Sequence, residues 1–328
     1  MIDLATGLAE APEEDTLART AIAHRAVNLL RPPGALQRLD EIASWLGAWQ
    51  RTDTPAVEAP VLLLAAGDHG VADRHVSVLR PEFTVATIDA IRAGASTSTV
   101  LTASLGALLR LVDVGAGRPT GDIVTEDAMP VERFESAFEE GRDAVATLTT
   151  DLLMLGDLGV GATTAAAALC SSLFGGEAVE WVGRGSGIDD DGLERKVEAV
   201  AAAAERVGDV GPLEALRRLG GVEMAALTGA VYEARVRSIP VVLDGLVATA
   251  SAAVLESLVS GALDHTLAGH RSTEPGHARL LTVLAKQPVV DVDVAMGEGT
   301  GALLALPIIR AAALAVSDVA TVDEWGLR

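Results

Sequence analysis

The stretch VLLLAAGDHG, residues 61–70, is an unbroken apolar run that stops abruptly in glycine, an acid and a histidine. Six apolar residues are too few for a buried helix. Having apolar residues at both odd and even positions means a strand covered on both faces, as strands of parallel sheets are. The same shape recurs along the chain. Residues 109–114 end at Gly115, 152–155 at Gly156 and Asp157, and 179–182 at Gly183 and Arg184. Residues 240–243 end at Asp244 and Gly245, and 289–294 run towards Gly297 and Glu298. A helical pattern usually follows. The expected fold class is therefore α/β, a parallel Rossmann-like sheet flanked by helices. Helices cover both faces of such a sheet, so ligands are left the crevice outside the carboxyl ends of the strands. The glycine-acid turns are the expected rim of a site. At any one turn the alternative is that glycine closes a tight βα connection and the acid caps the next helix.

The clearest helix spans 193–207, where Leu193, Val197, Val200, Ala204 and Val207 alternate spacings of four and three. Asp189 or Asp190 can cap its start and Gly208 can end it. Near the N-terminus, Pro32, Pro33 and Gly34 break the chain ahead of an apolar stripe of Leu36, Leu39, Ala43 and Leu46. This divides the chain into an N-terminal helical segment, 1–55, and an α/β domain, 56–328. The segment belongs to a small helical domain completed by other helices. Segments 50–58 and 115–132 read as loops. The longest uncharged stretch, 158–176, is near membrane length but rich in Gly, Ala, Ser and Thr, and reads as a loop plus a buried helix.

Composition narrows the function. Against 25 basic side chains stand 46 acidic ones, a net charge of −21 that disfavours nucleic acid and anionic membranes as partners. Lys196 and Lys286 are the only lysines, so a lysine inside a motif is informative. Cys170, the sole cysteine, excludes an intrachain disulfide and reads as a small buried apolar residue. The opening MIDLATGLAEAPEED has neither a basic region nor an apolar core, so no secretory signal is read and the cytoplasm is the expected location.

Three glycine-rich turns each precede a helical pattern: GDLGVGATT at 156–164, GRGSGIDD at 183–190 and GEGTG at 297–301. Glycine lets backbone N–H groups approach a phosphate, and a helix N-terminus adds unpaired donors and partial positive charge. None is GxxxxGK[ST] and none has the full GxGxxG spacing, which argues against ATP hydrolysis and dinucleotide binding. Lys196 follows the second turn by a short helical step. It either reaches a phosphate held at the helix start or is a solvated helix lysine. Glu298 lies between glycines, after an apolar strand and before an apolar helix. Burial would raise its pKa to suit a general base, whereas the helix dipole would lower it. His69, His270 and His277 show no metal-ligand spacing, and there is no G-x-S-x-G elbow. No metal and no cofactor are expected.

Taken in order, these motifs resemble the nicotinate-nucleotide:dimethylbenzimidazole phosphoribosyltransferases of cobalamin assembly. The resemblance adds LLRPPGALQRLDEIASWL at 29–46, AAGDHGVA at 65–72, RRLGGVEMAALTGA at 217–230, VVLDGLVATASAA at 241–253, AGHRSTEPGH at 268–277 and GEGTGALLALP at 297–307. It covers nearly the whole chain. It implies transfer of phosphoribose from nicotinate mononucleotide to 5,6-dimethylbenzimidazole, giving α-ribazole 5′-phosphate and nicotinate, by a homodimer. Nicotinate leaves from a cationic nitrogen and needs little acid help, so what must be supplied is positioning and removal of the azole proton. Carried over, Glu298 would be the base and Asp157 a second acid near the sugar. Gly159, Gly161, Gly185, Gly187, Lys196 and Ser272 would hold the phosphoribosyl part with Asp244 close by, and Ser77 and Met296 would border the acceptor-base pocket.

The chain departs from the family pattern in three places. Asp157 stands where Glu is commoner, Ala162 replaces the Asn of Gly-Asn-Thr-Thr, and Val-Ser-Ala-Tyr-Pro reads Val76-Ser77-Val78-Leu79-Arg80-Pro81. The last change motivates an alternative in which the acceptor is another benzimidazole, a purine or a phenol. The first two motivate a non-catalytic nucleotide-binding regulatory protein.

Overall fold

The computed structural model describes residues 4–327. Its strands are β1 (Pro60–Gly67), β2 (Leu108–Gly115), β3 (Leu152–Leu158), β4 (Val241–Leu243), β5 (Thr266–Ala268), β6 (His270–Ser272) and β7 (Val290–Val294). The helices of the first half are α1 (Leu4–Ala9), α2 (Thr16–Ala26), α3 (Gln37–Gln50), α4 (Glu82–Arg92), α5 (Thr97–Ser104) and α6 (Val131–Ala146). After β3 come α7 (Ala162–Phe174), α8 (Ala178–Trp181), α9 (Asp190–Val207), α10 (Pro212–Leu219) and α11 (Val222–Val236). The last are α12 (Leu246–Leu258), α13 (Pro275–Val283) and α14 (Thr300–Ser317).

Five strands form one parallel sheet in the order β2-β1-β3-β4-β5. The α/β expectation holds. In this order the chain leaves β1 towards one edge and β3 leads towards the other, so the connections diverge between β1 and β3 and open a crevice at their carboxyl ends. The two ends are level, with Ala66 paired to Leu158. Alternation along the strands feeds two cores. Val61, Leu63 and Ala65 of β1 join Leu153 and Leu155 of β3 on one face, packed with α6, α7, α11 and α12. Leu62, Leu64 and Ala66 join Leu152 and Met154 on the other, with α3 and α14. Ile22 of α2 and Ile42, Leu46 and Trp49 of α3 belong to this second core, so the N-terminal helices pack on α14 and complete the layer on that face.

Three local expectations are corrected. Residues 179–182 do not form a strand. Glu177 and Glu180 make a reciprocal capping box, and 178–181 turn once as α8, burying Trp181 against Phe174. Residues 290–294 do form a strand, but it pairs with β6 in a separate two-stranded sheet. Leu36 precedes α3 and is exposed rather than part of its buried stripe. The loop-plus-helix reading of 158–176 matches α7, on which Cys170 is wholly buried. Among the described residues one helix, α14, is long and apolar enough to cross a membrane, and more than half of it is buried inside the fold.

Candidate active site

The crevice at the ends of β1 and β3 is a cavity of about 310 Å³. Behind the wall that includes Thr84 and Val160 lies Asp68, just past β1. Its buried carboxylate accepts from Thr84 Oγ1, from the Gly117 N–H at 2.8 Å and from the Val160 N–H at 3.3 Å, which pins the start of α4 and two loops together. His69 beside it donates its N–H to Val160 and pairs Nε2 with Glu223 Oε1 at 2.8 Å, both side chains fully buried.

From β3 the chain enters the first glycine turn. Gly156 has no room for a side chain, because a Cβ there would lie 2.3 Å from the Gly299 nitrogen. That close approach brings the third glycine turn against the first. Gly161 then starts α7 at φ 95°, a left-handed conformation that glycine adopts without penalty. Gly159, Gly161 and Thr163 face the cavity, as do Gly185 and Ser186 of the second turn. The Gly185 N–H donates to Glu274 Oε1 at 2.8 Å, and the Gly187 N–H closes its own turn onto the Arg184 carbonyl. Gly187 does not line the cavity.

Lys196 is 1% exposed, so it is no solvated helix lysine. Asp189 caps α9, Gly208 ends it, and Lys196 reaches back under the second turn. Its Nζ donates to Thr163 Oγ1 and to the Gly183 carbonyl, both at 2.9 Å, with Glu274 Oε2 at 4.0 Å. Burial pulls its pKa down, and the Glu274 carboxylate partly opposes this. Lys196 thus sits behind the cavity wall, with Thr163 between it and the cavity.

Glu298 does face the cavity. It lies in the left-handed region at φ 61°, which costs a residue other than glycine on the order of 1–3 kcal/mol and aims its side chain differently from a regular helix start. Burial raises its pKa, while the Ser98 hydroxyl, donating to Oε2 at 3.0 Å, holds it back. Of the two opposed expectations for Glu298, burial wins. Asp157 lines the same wall, its pKa lifted well above the carboxylate range by burial and then by the charges of Asp244, Glu223 and Glu298.

Asp244 is fully buried and outside the cavity lining. Its oxygens accept from the N–H groups of Gly299, Gly301 and Ala302 at 2.8–3.1 Å, so it caps α14 and fixes the turn that carries Glu298. Burial lifts its pKa to about 7 against the pull of those donors. Ser272 lines the cavity beside Thr273 and Glu274. It is held by His277, whose Nδ1 accepts the Ser272 N–H at 3.1 Å and whose Nε2 faces Thr249 Oγ1. Ser77 and Met296 also line the cavity, and Ser77 Oγ meets Ser186 Oγ at 3.0 Å, closing the rim between the acceptor-side loop and the second turn.

The fold therefore gathers Glu298, Asp157, Gly159, Gly161, Gly185, Ser272, Ser77 and Met296 around one cavity. Gly187, Lys196 and Asp244 stand behind it. Reading of the sequence did not single out Ser98 or Glu274, and it weighed His277 only as a metal ligand and Asp68 only as one of the glycine-acid strand ends. Glu274 and His277 lay inside a quoted motif, whereas nothing in the sequence pairs Ser98 with Glu298. Among the described residues no cluster of three or more metal-ligating side chains occurs.

A deep crevice at the switch point of a parallel sheet, walled by glycine turns and a buried carboxylate, defines a doubly wound α/β enzyme acting on a small molecule. A phosphoribosyltransferase family model matches residues 11–327. Nicotinate-nucleotide–dimethylbenzimidazole phosphoribosyltransferases from Cereibacter sphaeroides and Ruegeria are 43% and 42% identical, covering 96% and 99% of this chain and 94% and 96% of the relatives. The crystal structure of CobT from Thermus thermophilus superposes with a TM-score of 0.90 at 36% identity, over 94% of this chain and 98% of that one. The chain belongs to the nicotinate-nucleotide–dimethylbenzimidazole phosphoribosyltransferase family. Membership of an enzyme family sets aside the non-catalytic reading.

Proposed function

We propose that this chain transfers phosphoribose from nicotinate mononucleotide to 5,6-dimethylbenzimidazole, giving α-ribazole 5′-phosphate and nicotinate for the lower ligand of cobalamin. The carrying observation is that Glu298 shares one cavity with the turns at Gly159, Gly161 and Gly185. In this reading the phosphoribosyl part lies along those turns and Ser272, with Lys196 supplying positive charge from behind Thr163. The bond from C1 of the ribose to the pyridinium nitrogen breaks, the bond to the azole nitrogen forms, and the azole N–H proton passes to Glu298. Asp157, whose pKa burial and the neighbouring acids push up, faces the sugar and in its neutral form donates a hydrogen bond to it. Incubation with both substrates should release free nicotinate in step with ribazole phosphate. No release with dimethylbenzimidazole or any related azole would remove the proposal.

The acceptor side carries a second reading. Leu79, from the Val78-Leu79-Arg80 stretch that stands where the family pattern has Ala-Tyr, lines that wall, which supports a different benzimidazole, a purine or a phenol as acceptor. Competition among these bases decides, since strong preference for dimethylbenzimidazole rules it out. The homodimer implied by the resemblance is supported by a stripe of exposed Leu304, Ile308 and Leu314 on α14. Light scattering at micromolar concentration tests it, with a monomer as the contrary result.

A further inference from the structure

We propose that Ser98 is a positioning residue for Glu298, its hydroxyl holding Oε2 so that Oε1 is presented to the substrate. The proposal rests on Glu298 being the base.

Ser98 lies in the first turn of α5, fully buried, 200 positions from its partner in sequence. An ionised carboxylate only accepts hydrogen bonds, so the single hydroxyl proton of Ser98 points at Glu298 Oε2, 3.0 Å away. This fixes the sense of the neighbouring bond. Ser96 Oγ, 2.9 Å from Ser98 Oγ and 3.0 Å from Thr99 Oγ1, is then the donor wherever it bonds Ser98, while Ser96 itself caps α5 by accepting the Thr99 N–H at 3.2 Å. The result is a short chain of hydroxyls polarised towards the carboxylate, anchored on a helix start whose partial positive charge favours an anion. The Ser98 N–H faces the same carboxylate.

Glu298 needs such a tether. Its left-handed backbone fixes where the side chain begins but not its rotamer. A buried carboxylate with no donor would also keep its proton further up the pH scale. No other ionisable group nearby supplies the tether. Asp157 on β3, Asp244 past β4 and Glu223 on α11 make no side-chain hydrogen bond to the Glu298 carboxylate, and the β7 carboxylates of Asp291 and Asp293 are exposed. Neither α5 nor the first two turns of α14 carry a titratable side chain.

The experiment is a pH profile of kcat/KM for the wild type, Ser98→Ala, Ser98→Thr and Glu298→Gln with nicotinate mononucleotide and dimethylbenzimidazole. A donor to a charged group is lost in Ser98→Ala, so its acid limb should move up by about one pH unit and kcat at pH 7 should fall roughly tenfold. The KM for the mononucleotide should not change. Ser98→Thr keeps the hydroxyl and should track the wild type. An acid limb in Ser98→Ala that coincides with the wild type, or one in Ser98→Thr that moves equally, would overturn the proposal. If Ser98→Ala does not fold, Ser98→Cys, a weak donor of similar size, is read by the same shift. Glu298→Gln separates the two layers: if it is inactive while Ser98→Ala is normal, only the Ser98 assignment falls, and if it is fully active the base assignment falls with it.

Discussion

The backbone N–H of Glu298 donates to the carbonyl oxygen of Asp157 at 3.0 Å. This one bond ties the strained turn before α14 to the end of β3 and sets two acids on one wall of the cavity. Burial first, and then the neighbouring Asp244, Glu223 and Glu298, push the Asp157 pKa up, which favours its neutral form and weakens its field at Glu298. Asp157→Asn should then leave the acid limb of the pH profile where it was. Turnover should fall by less than about tenfold, the loss of one neutral hydrogen bond. A limb that moves down by a unit would mean that Asp157 is ionised in the working enzyme.

Lys196→Met should raise the KM for nicotinate mononucleotide by roughly 10- to 100-fold, the cost of losing a charged donor near a phosphate, with a smaller effect on kcat. Steady-state kinetics with the acceptor saturating checks this. An unchanged KM would leave Lys196 as a brace for Thr163 and Gly183 and nothing more.

Asp244→Ala strands the three N–H groups that start α14, which should destabilise the fold by about 1–3 kcal/mol. Thermal or urea unfolding measures it. Since the same groups set the Glu298 turn, kcat should drop more than stability alone explains. Full activity together with wild-type stability would show that the cap is dispensable.

Acid should unfold this protein early. Burial pushes His277 down to about 3 and His270 to about 4, well under the ordinary histidine value of 6.5. Between those limits the unfolded chain binds protons that the native one refuses, so stability is complete above 6.5 and declines as pH falls towards 4 and then 3. Each site contributes a slope of about 1.4 kcal/mol per pH unit. His277→Gln should flatten the decline, as followed by urea unfolding at pH 4.5 to 7. An equal slope in the variant would deny the role.

Much of this was legible in the sequence because burial on both faces leaves an unmistakable trace: β1 is apolar from Val61 to Ala66 and β3 from Leu152 to Leu155, and their glycine-acid ends mark the crevice. β4 is as short as β5 and β6 but was read from its apolar Val241-Val242-Leu243, whereas Thr266-Leu267-Ala268 is only partly apolar and His270-Arg271-Ser272 is polar, which is why those two went unread. Residues 178–181 misled because Val179 and Val182 suit a strand, while the capping pair Glu177 and Glu180 decides for a turn of helix. Glu298 and Asp157 were visible from their glycine neighbours. What supports them was not. Ser98 and Asp68 act on residues far away in sequence, and only folded geometry shows that Asp244 is consumed at a helix start or that Lys196 lies behind Thr163.

The most direct test is a single-turnover measurement with Glu298→Gln, together with mononucleotide binding by calorimetry. Glutamine keeps the size of the side chain but cannot take the azole proton. The account predicts that nicotinate mononucleotide binds within about twofold of the wild type, while nicotinate release slows by roughly 100- to 10,000-fold, the range that a positioned base provides. Release at the wild-type rate would contradict it and send the search for the base elsewhere in the cavity.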